Sequence, residues 1–494
     1  MRLTVYSSGV TRSLFALALV SAPHLGLAAS DDTVQAQIEA LQKEINELQA
    51  KTADSSSSGP GMASLISHDG PLTWKGITLY GVVDLGISMQ SHGAALNPDL
   101  PAGVDSLLQK QSRGTVWNVT PGGLSQSKIG IKGTENVFDD VNAVFNLAAG
   151  FSPVSGTVAN GPKSLVDNAG QSVNGANTTS FGDSSRMGQM FGQDAWAGLS
   201  SNTYGTLTFG RQTTTMTDGV SKYDPMQGSY AFSLIGYSGT TCGGGRTEDC
   251  RLDNSVKYDF HYGPLHFGAL YQFPGNTNPL GGDDAIQGVI GFEQGPFAVD
   301  AFASRKNGAI VFASPASTVN TLSGITSDDV AYAIMAKLDL NPVTLYGGYE
   351  RIAYLQPSTP LAVGTTLWGY EVSTLAANNT YSTADILHVA WFGARWAYSP
   401  KLTLAAAAYR YFQDNYSGID NGVCVATAGT HCAGSTSYLS AMADYKLSKR
   451  FDAYAGFNYN RVDGGMYWQG GTTGANSYVH NNVFSPMIGA RFTF

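Results

Sequence analysis

From Gly76 to the C terminus, apolar and polar residues alternate with a period of two, the signature of strands with one apolar face. In "GITLYGVVDLGISM", Ile77, Leu79, Gly81, Val83, Leu85 and Ile87 share one face, and Thr78, Tyr80, Val82, Asp84, Gly86 and Ser88 the other. The pattern returns in "SKIGIKG", "VNAVFNLAAGF", "DAWAGLS", "GTLTFGRQ", "NSVKYDF", "LHFGALYQF", "IQGVIGFEQ", "FAVDAFAS", "VAYAIMAKLDL", "VTLYGGYE", "ILHVAWFGARWAY", "LTLAAAAYRYF", "SYLSAMADYKL", "FDAYAGFNYN" and the terminal "IGARFTF", about sixteen strands in all. Brief turns such as "SSNTY", "HYGP", "EQGP" and "YSPK" alternate with longer polar stretches, among them 90–125, 152–190, 212–250, 355–383 and 463–480. Antiparallel strands with short turns at one end and long loops at the other predict an all-β, up-and-down barrel of about 16 strands.

That many apolar faces need a cover, and no amphipathic helix follows Gly76 to supply one. Lipid is the cover the pattern implies, so the barrel is predicted to be transmembrane, apolar outside and polar within. A barrel of this size encloses an aqueous lumen. The polar face would then line it with Asp84, Lys132, Lys257, Asp259, Glu350, Asp444, Lys446 and Arg491. Aromatics near strand ends, including Tyr80, Trp196, Tyr262, Tyr346, Trp396, Tyr398, Phe451 and Phe494, read as interfacial girdles. Ile488, Ala490, Phe492 and Phe494 form one face of a closing strand that must pair with "GITLYGVVDLGI".

Upstream the period changes. Arg2 and Arg12, the apolar run "SLFALALV" and the small residues of "GLAAS" give residues 1–30 the layout of a secretory signal, with cleavage after Ala28 or Ser30. In residues 31–52, Val34, Ile38, Leu41, Ile45 and Leu48 follow 4, 3, 4, 3 spacing, a heptad seam of about two and a half repeats. This short periplasmic helix is either solitary or a coiled coil held by an assembly that already brings copies together. Residues 53–71, with "TADSSSSGPG", read as a linker, leaving 72–494 as the barrel.

Composition narrows the function. The net charge of −9 falls to −11 without Arg2 and Arg12, which leaves no basic footprint for nucleic acid. No cofactor or metal motif stands out. Cys242 and Cys250, like Cys424 and Cys432, are eight apart in Gly/Thr-rich stretches; in an oxidising compartment local disulfides are favoured over metal ligation. A hydrolase reading fares poorly, since His261, His266 and His388 show no Ser and Asp partners in the sequence.

Several stretches resemble the general trimeric porins of Gram-negative outer membranes, especially the beta-proteobacterial type. "ITLYGVVDLGI" is similar to that family's first strand, "SKIGIKGTENV" to its second strand and turn, "AWAGLSSNTYGTLTFGRQ" to its fourth and fifth, "RLDNSVKYDF" to its sixth, and Phe494 to its assembly signal. The heptad segment departs from its simplest members. The resemblance implies a homotrimer in outer-membrane lipid, inserted by the barrel-assembly machinery, that passes small hydrophilic solutes and ions. It also implies an inward-folded third loop, here about 213–250, whose acids Asp218, Asp224, Glu248 and Asp249 face a basic wall of Lys128, Arg211 and Arg251. Strict alternation puts Lys128 and Arg251 on the polar face but groups Arg211 with Leu207 and Phe209, so a bulge at Gly210 is needed to re-aim it. The alternative function is a substrate-specific channel for a sugar or anion, with Tyr230, Phe232 and Tyr237 as an aromatic track.

Overall fold

Sixteen strands follow one another around a ring, each antiparallel to the next, and the last returns to the first. The computed structural model describes residues 72–91, 114–154, 156, 172–173, 176–177, 190–236, 250–274, 284–312, 321–322, 324–358, 360, 366–367, 370–372, 377–378, 384–416, 433–464 and 481–494. The signal, heptad and linker segments, together with Tyr237, Cys242, Glu248, Asp249, Cys424 and Cys432, lie outside the described residues. In chain order the wall comprises β1 (Ile77–Gln90), β2 in two pieces (Val116–Pro121 and Lys128–Phe138), β3 (Val141–Gly150), β4 (Asp194–Ser201), β5 (Gly205–Thr213), β6 (Arg251–Tyr262), β7 (Leu265–Gln272) and β8 (Ala285–Gln294). It continues with β9 (Phe297–Phe312), β10 (Gly324–Asp339), β11 (Val343–Leu355), β12 (Asp385–Ala397), β13 (Leu402–Gln413), β14 (Gly434–Lys446), β15 (Phe451–Gly464) and β16 (Asn482–Thr493). One helix occurs among the described residues, α1 (Thr215–Tyr223), between β5 and β6.

Closure depends on the chain terminus. β16 pairs with β1 from Val82↔Thr493 to Ser88↔Met487. Phe494 then exchanges both backbone hydrogen bonds with Gly81, at 2.9 and 3.0 Å. Gly81 lacks a side chain, and the Phe494 ring occupies the space a Cβ would need. The final residue therefore belongs to the ladder and leaves no unpaired edge in lipid.

Alternation sorts the two faces as expected. Along β1, Ile77, Leu79, Leu85 and Ile87 are exposed outward while Asp84, Ser88 and Gln90 are buried inside. Along β8, Ile286 and Ile290 point out and Gln287 points in. Outer residues such as Ile290 and Ile488 are 56% and 62% exposed, which costs about 25 cal/mol per Å² in water and is relieved by acyl chains. Exposed aromatics cluster at the short turns, with Tyr204, Tyr262 and Tyr398 all largely exposed. Tyr80 departs from the expected girdle: it faces inward, donates its hydroxyl to Asn146 Oδ1 at 2.6 Å and lies under Lys128 and Lys132.

β2 is broken where the sequence predicts only a long loop before "SKIGIKG". Val116–Pro121 pairs with the upper part of β1 and Lys128–Phe138 with the lower part, while 122–127 leave the wall. Asp84 holds this excursion. Its carboxylate accepts from the backbone N–H groups of Gly123, Leu124 and Ser125 at 2.9–3.0 Å and from the Tyr454 hydroxyl at 2.6 Å. The largest buried cluster sits inside the barrel, where Met216, Val220, Met226, Phe232 and Ile235 pack on Phe302, Met335, Ile352, Tyr409 and Tyr454.

Candidate functional site

The segment 214–236 leaves β5 and crosses the lumen. Thr214 starts it as a helix cap, its hydroxyl accepting from Thr217 N–H at 3.2 Å. The spacing of Met216, Val220 and Tyr223 gives α1 one apolar stripe, which lies on the inner faces of β8 to β11. Asp224 ends the helix. Fully buried, it accepts from the N–H groups of Met226 and Gly228 at 3.2 and 2.7 Å and from the Tyr409 hydroxyl. Burial pushes its carboxyl above the usual carboxylate range.

Beyond the helix the loop has main-chain carbonyls that no ladder satisfies, and the far wall supplies their donors. Trp391 Nε1 donates to Tyr223 O at 3.1 Å, Arg395 Nη1 to Pro225 O at 3.1 Å, and the Tyr411 hydroxyl to Leu234 O at 3.1 Å. Ala231 O accepts from the Tyr438 hydroxyl at 3.2 Å and from Asn458 Nδ2 at 2.7 Å. On the other side Ala231 N–H and Ser229 Oγ donate to Gly123 O at 2.9 and 2.8 Å. Asp84, the excursion and the loop thus form one continuous support.

The loop and the wall exchange charges of both signs. Asp218, half-exposed on the first turn of α1, pairs with Lys257 of β6 and accepts from Thr213 Oγ1 at 2.8 Å. Lys222, on its last turn, reaches Glu293 at 3.0 Å and Asp300 at 3.3 Å. Lys128, Lys132 and Arg251 are electrostatic neighbours around Asp194 and the Tyr80 ring. Nearer the short turns, Arg491 pairs with Asp452 at 2.6 Å and approaches Asp444 at 3.9 Å.

These placements bear unevenly on the residues expected from sequence. Lys128, Lys132 and Arg251 come together, and Asp218, Lys257, Asp259 and Arg491 stand on the inner side with partners. Asp84 and Asp224 are fully buried hydrogen-bond hubs, so neither presents charge to water. Arg211 is also buried; its Nε donates to Gly192 O at 2.9 Å and its Nη1 pairs with Asp253 at 2.7 Å. Irregularities on both strands accompany this placement, one at Gly210 itself and one in the partner strand. Register passes from Leu252↔Gln212 to Ser255↔Gly210, with Asn254 at φ 50° and Gly210 at φ 126°. That shift turns Leu252 inward against Leu270 and Ala285, opposite to its expected lipid face. Tyr230 and Phe232 belong to the loop and are buried on its packed side, so they do not line water. Cys250 is disulfide-bonded. Lys222, Glu293, Asp300 and Arg395 escape the sequence reading; parity alone puts Glu293 and Asp300 on the inner face, but nothing local tells which inner residue meets the loop.

Residues 50–465 match the family described as Gram-negative porin. The chain belongs to the Gram-negative porin family. This porin is 28% identical over 214 residues to an outer membrane porin protein of Bordetella pertussis, an alignment covering 43% of the chain and 46% of that relative. The chain therefore spans just under half the length of the curated relative it matches. Its fold is similar to an anion-selective porin from Comamonas acidovorans, with TM-score 0.55, 14% identity and coverage of 85% of this chain and 99% of that one. It is similar as well to OmpT of Vibrio cholerae, with TM-score 0.51, 14% identity and coverage of 86% and 100%, and to a trimer form of OmpT, with TM-score 0.50, 15% identity and coverage of 85% and 99%. At such identities the likeness is one of fold. Family and closed barrel together place the porin in the Gram-negative outer membrane.

Proposed function

We propose that this porin forms a water-filled channel for passive diffusion of small hydrophilic solutes and ions, a channel and not an enzyme. The observation that carries the reading is the segment 214–236, tied across the lumen of a closed barrel by donors from β12 to β15. Lys128, Lys132 and Arg251 serve as the basic side of the passage, and Asp218 as a loop acid screened by Lys257. With the loop acid paired and the basic group clustered, the passage favours small anions. The similar Comamonas acidovorans protein is described as anion-selective. Burial of Tyr230 and Phe232 speaks against an aromatic sugar track.

A homotrimer is the proposed assembly, supported by the likeness to a trimer form of OmpT. Phe494, locked in the closing ladder, is the proposed signal for the barrel-assembly machinery. Purified protein in planar bilayers should give stable, stepwise conductance, and reversal potentials in a salt gradient should show anion preference that falls in Lys128→Ala and Arg251→Ala. A silent protein overturns the channel reading; a preference unchanged in both variants overturns the basic wall.

A further inference from the structure

One row of inward-facing positions crosses four strands at a single height. His261 of β6 stands opposite His266 of β7, His266 opposite Gly291 of β8, and Gly291 opposite Asp300 of β9. Gly291 has no side chain, so Asp300 reaches across it until its Oδ2 is 3.7 Å from His266 Nδ1. Asp259, on the same face as His261, stands opposite Gly268 and uses that second gap; its Oδ2 lies 3.6 Å from where a Gly268 Cβ would be. There Asp259 Oδ2 is 2.9 Å from His266 Nε2, and Oδ1 is 3.3 Å from His261 Nε2. The two imidazoles stack at 4.5 Å with 11° between their planes.

We propose that Asp259, His261 and His266 form a binding site for a divalent transition-metal ion of the zinc class, on the lumen wall beside the last turn of α1. One ligand atom from each residue falls within 4.8 Å of the others. Tetrahedral coordination with bonds of about 2.0–2.2 Å separates neighbouring ligand atoms by roughly 3.3–3.5 Å. The nitrogen–oxygen separations of 2.9 and 3.3 Å are close to that edge, and binding requires the exposed His261 ring to rotate out of its stack on His266 so that both nitrogen lone pairs meet at the ion. Two imidazoles and one carboxylate suit zinc, copper or nickel better than calcium or magnesium, and the lumen supplies water for the fourth position.

The surroundings are those of a ligand set with an outer shell. Asp300 Oδ2 lies 3.7 Å from His266 Nδ1, so a small rotation would make it the outer-shell acceptor for that ring nitrogen while Nε2 faces Asp259 and the ion. Lys222 in turn holds Asp300 at 3.3 Å and Glu293 at 3.0 Å. The charged neighbours are Asp259, Asp300, Glu293 and Asp218 against Lys222, Lys257 and Lys337, four carboxylates against three ammonium groups, so a dication enters a slightly negative pocket. The sequence hides this set because His261 and His266 flank a turn; only the hairpin register brings their rings face to face.

The test is zinc titration of the untagged, folded full chain after EDTA treatment and dialysis, read by calorimetry. Folding of each variant is checked by heat-modifiable gel migration. The wild type should bind one zinc per chain with an affinity that His261→Ala and the near-isosteric Asp259→Asn each weaken about tenfold or more. Binding equal in the wild type and in both folded variants overturns the site, as does a wild type that takes up no zinc.

Discussion

Two aspartates show how a side chain's partners decide its job. Asp84 and Asp224 are charged residues on a lumen, yet each is buried and accepts several hydrogen bonds from main-chain amides and a tyrosine. Replacing Asp84 by alanine strands three amides, each at a cost of about 1–3 kcal/mol. Hydrogen exchange at Gly123, Leu124 and Ser125 should accelerate in Asp84→Ala while the amides of β8 keep their wild-type rates. Asp224 has its carboxyl raised by burial, against the pull of the Tyr409, Gly228 and Met226 donors, so whatever stability its proton supplies is lost as pH rises through the folded value. Asp224→Asn keeps one acceptor oxygen and Asp224→Ala none, so the alanine variant should show the noisier open-channel current of the two. Asp140, in the turn between β2 and β3, titrates the other way. Ser201 Oγ and Thr203 N–H donate to it at 2.8 and 3.0 Å, holding its carboxyl below the usual range. That tie is present above the ordinary carboxylate value and lost as pH falls through the folded one, so protection of the Thr203 amide should drop in acid.

At the scale of elements, strand alternation is readable because lipid and water enforce opposite preferences on successive residues, as β1 and β8 show along their length. What escapes are the places where local pattern yields to long-range partners. Val116–Pro121 is a short piece of β2 whose existence depends on β1 opposite it and on Asp84 below. α1 has only nine residues and would be marginal alone; it forms because Met216, Val220 and Tyr223 find the wall. Arg251 is an electrostatic neighbour of Lys128, but parity does not foresee the Leu252/Ser255 shift, which a non-glycine residue at φ 50° makes. Closure offers a direct check. A side chain at Gly81 would collide with the Phe494 ring and its pairing, so Gly81→Val should sharply reduce the fraction of folded, heat-modifiable protein. An unchanged yield would mean that the terminal pair is dispensable.

Across the described residues, one plan joins these parts: a closed wall faces lipid, and the interior carries the segment 214–236, anchored on both sides. Sequence makes the wall and compartment legible, together with the region of the inward loop. Which charges meet across the lumen is not legible, because Lys222 with Asp300 and Asp218 with Lys257 are set by how α1 docks. In the proposed function the segment 214–236 narrows an aqueous channel. The most direct measurement is single-channel conductance of the wild type against a variant in which 214–236 is replaced by a short glycine-serine link, with folding verified by heat-modifiable migration. The wild type should conduct and the folded variant should show a clearly larger conductance; equal conductances, or a silent wild type, would contradict a narrowing by this segment.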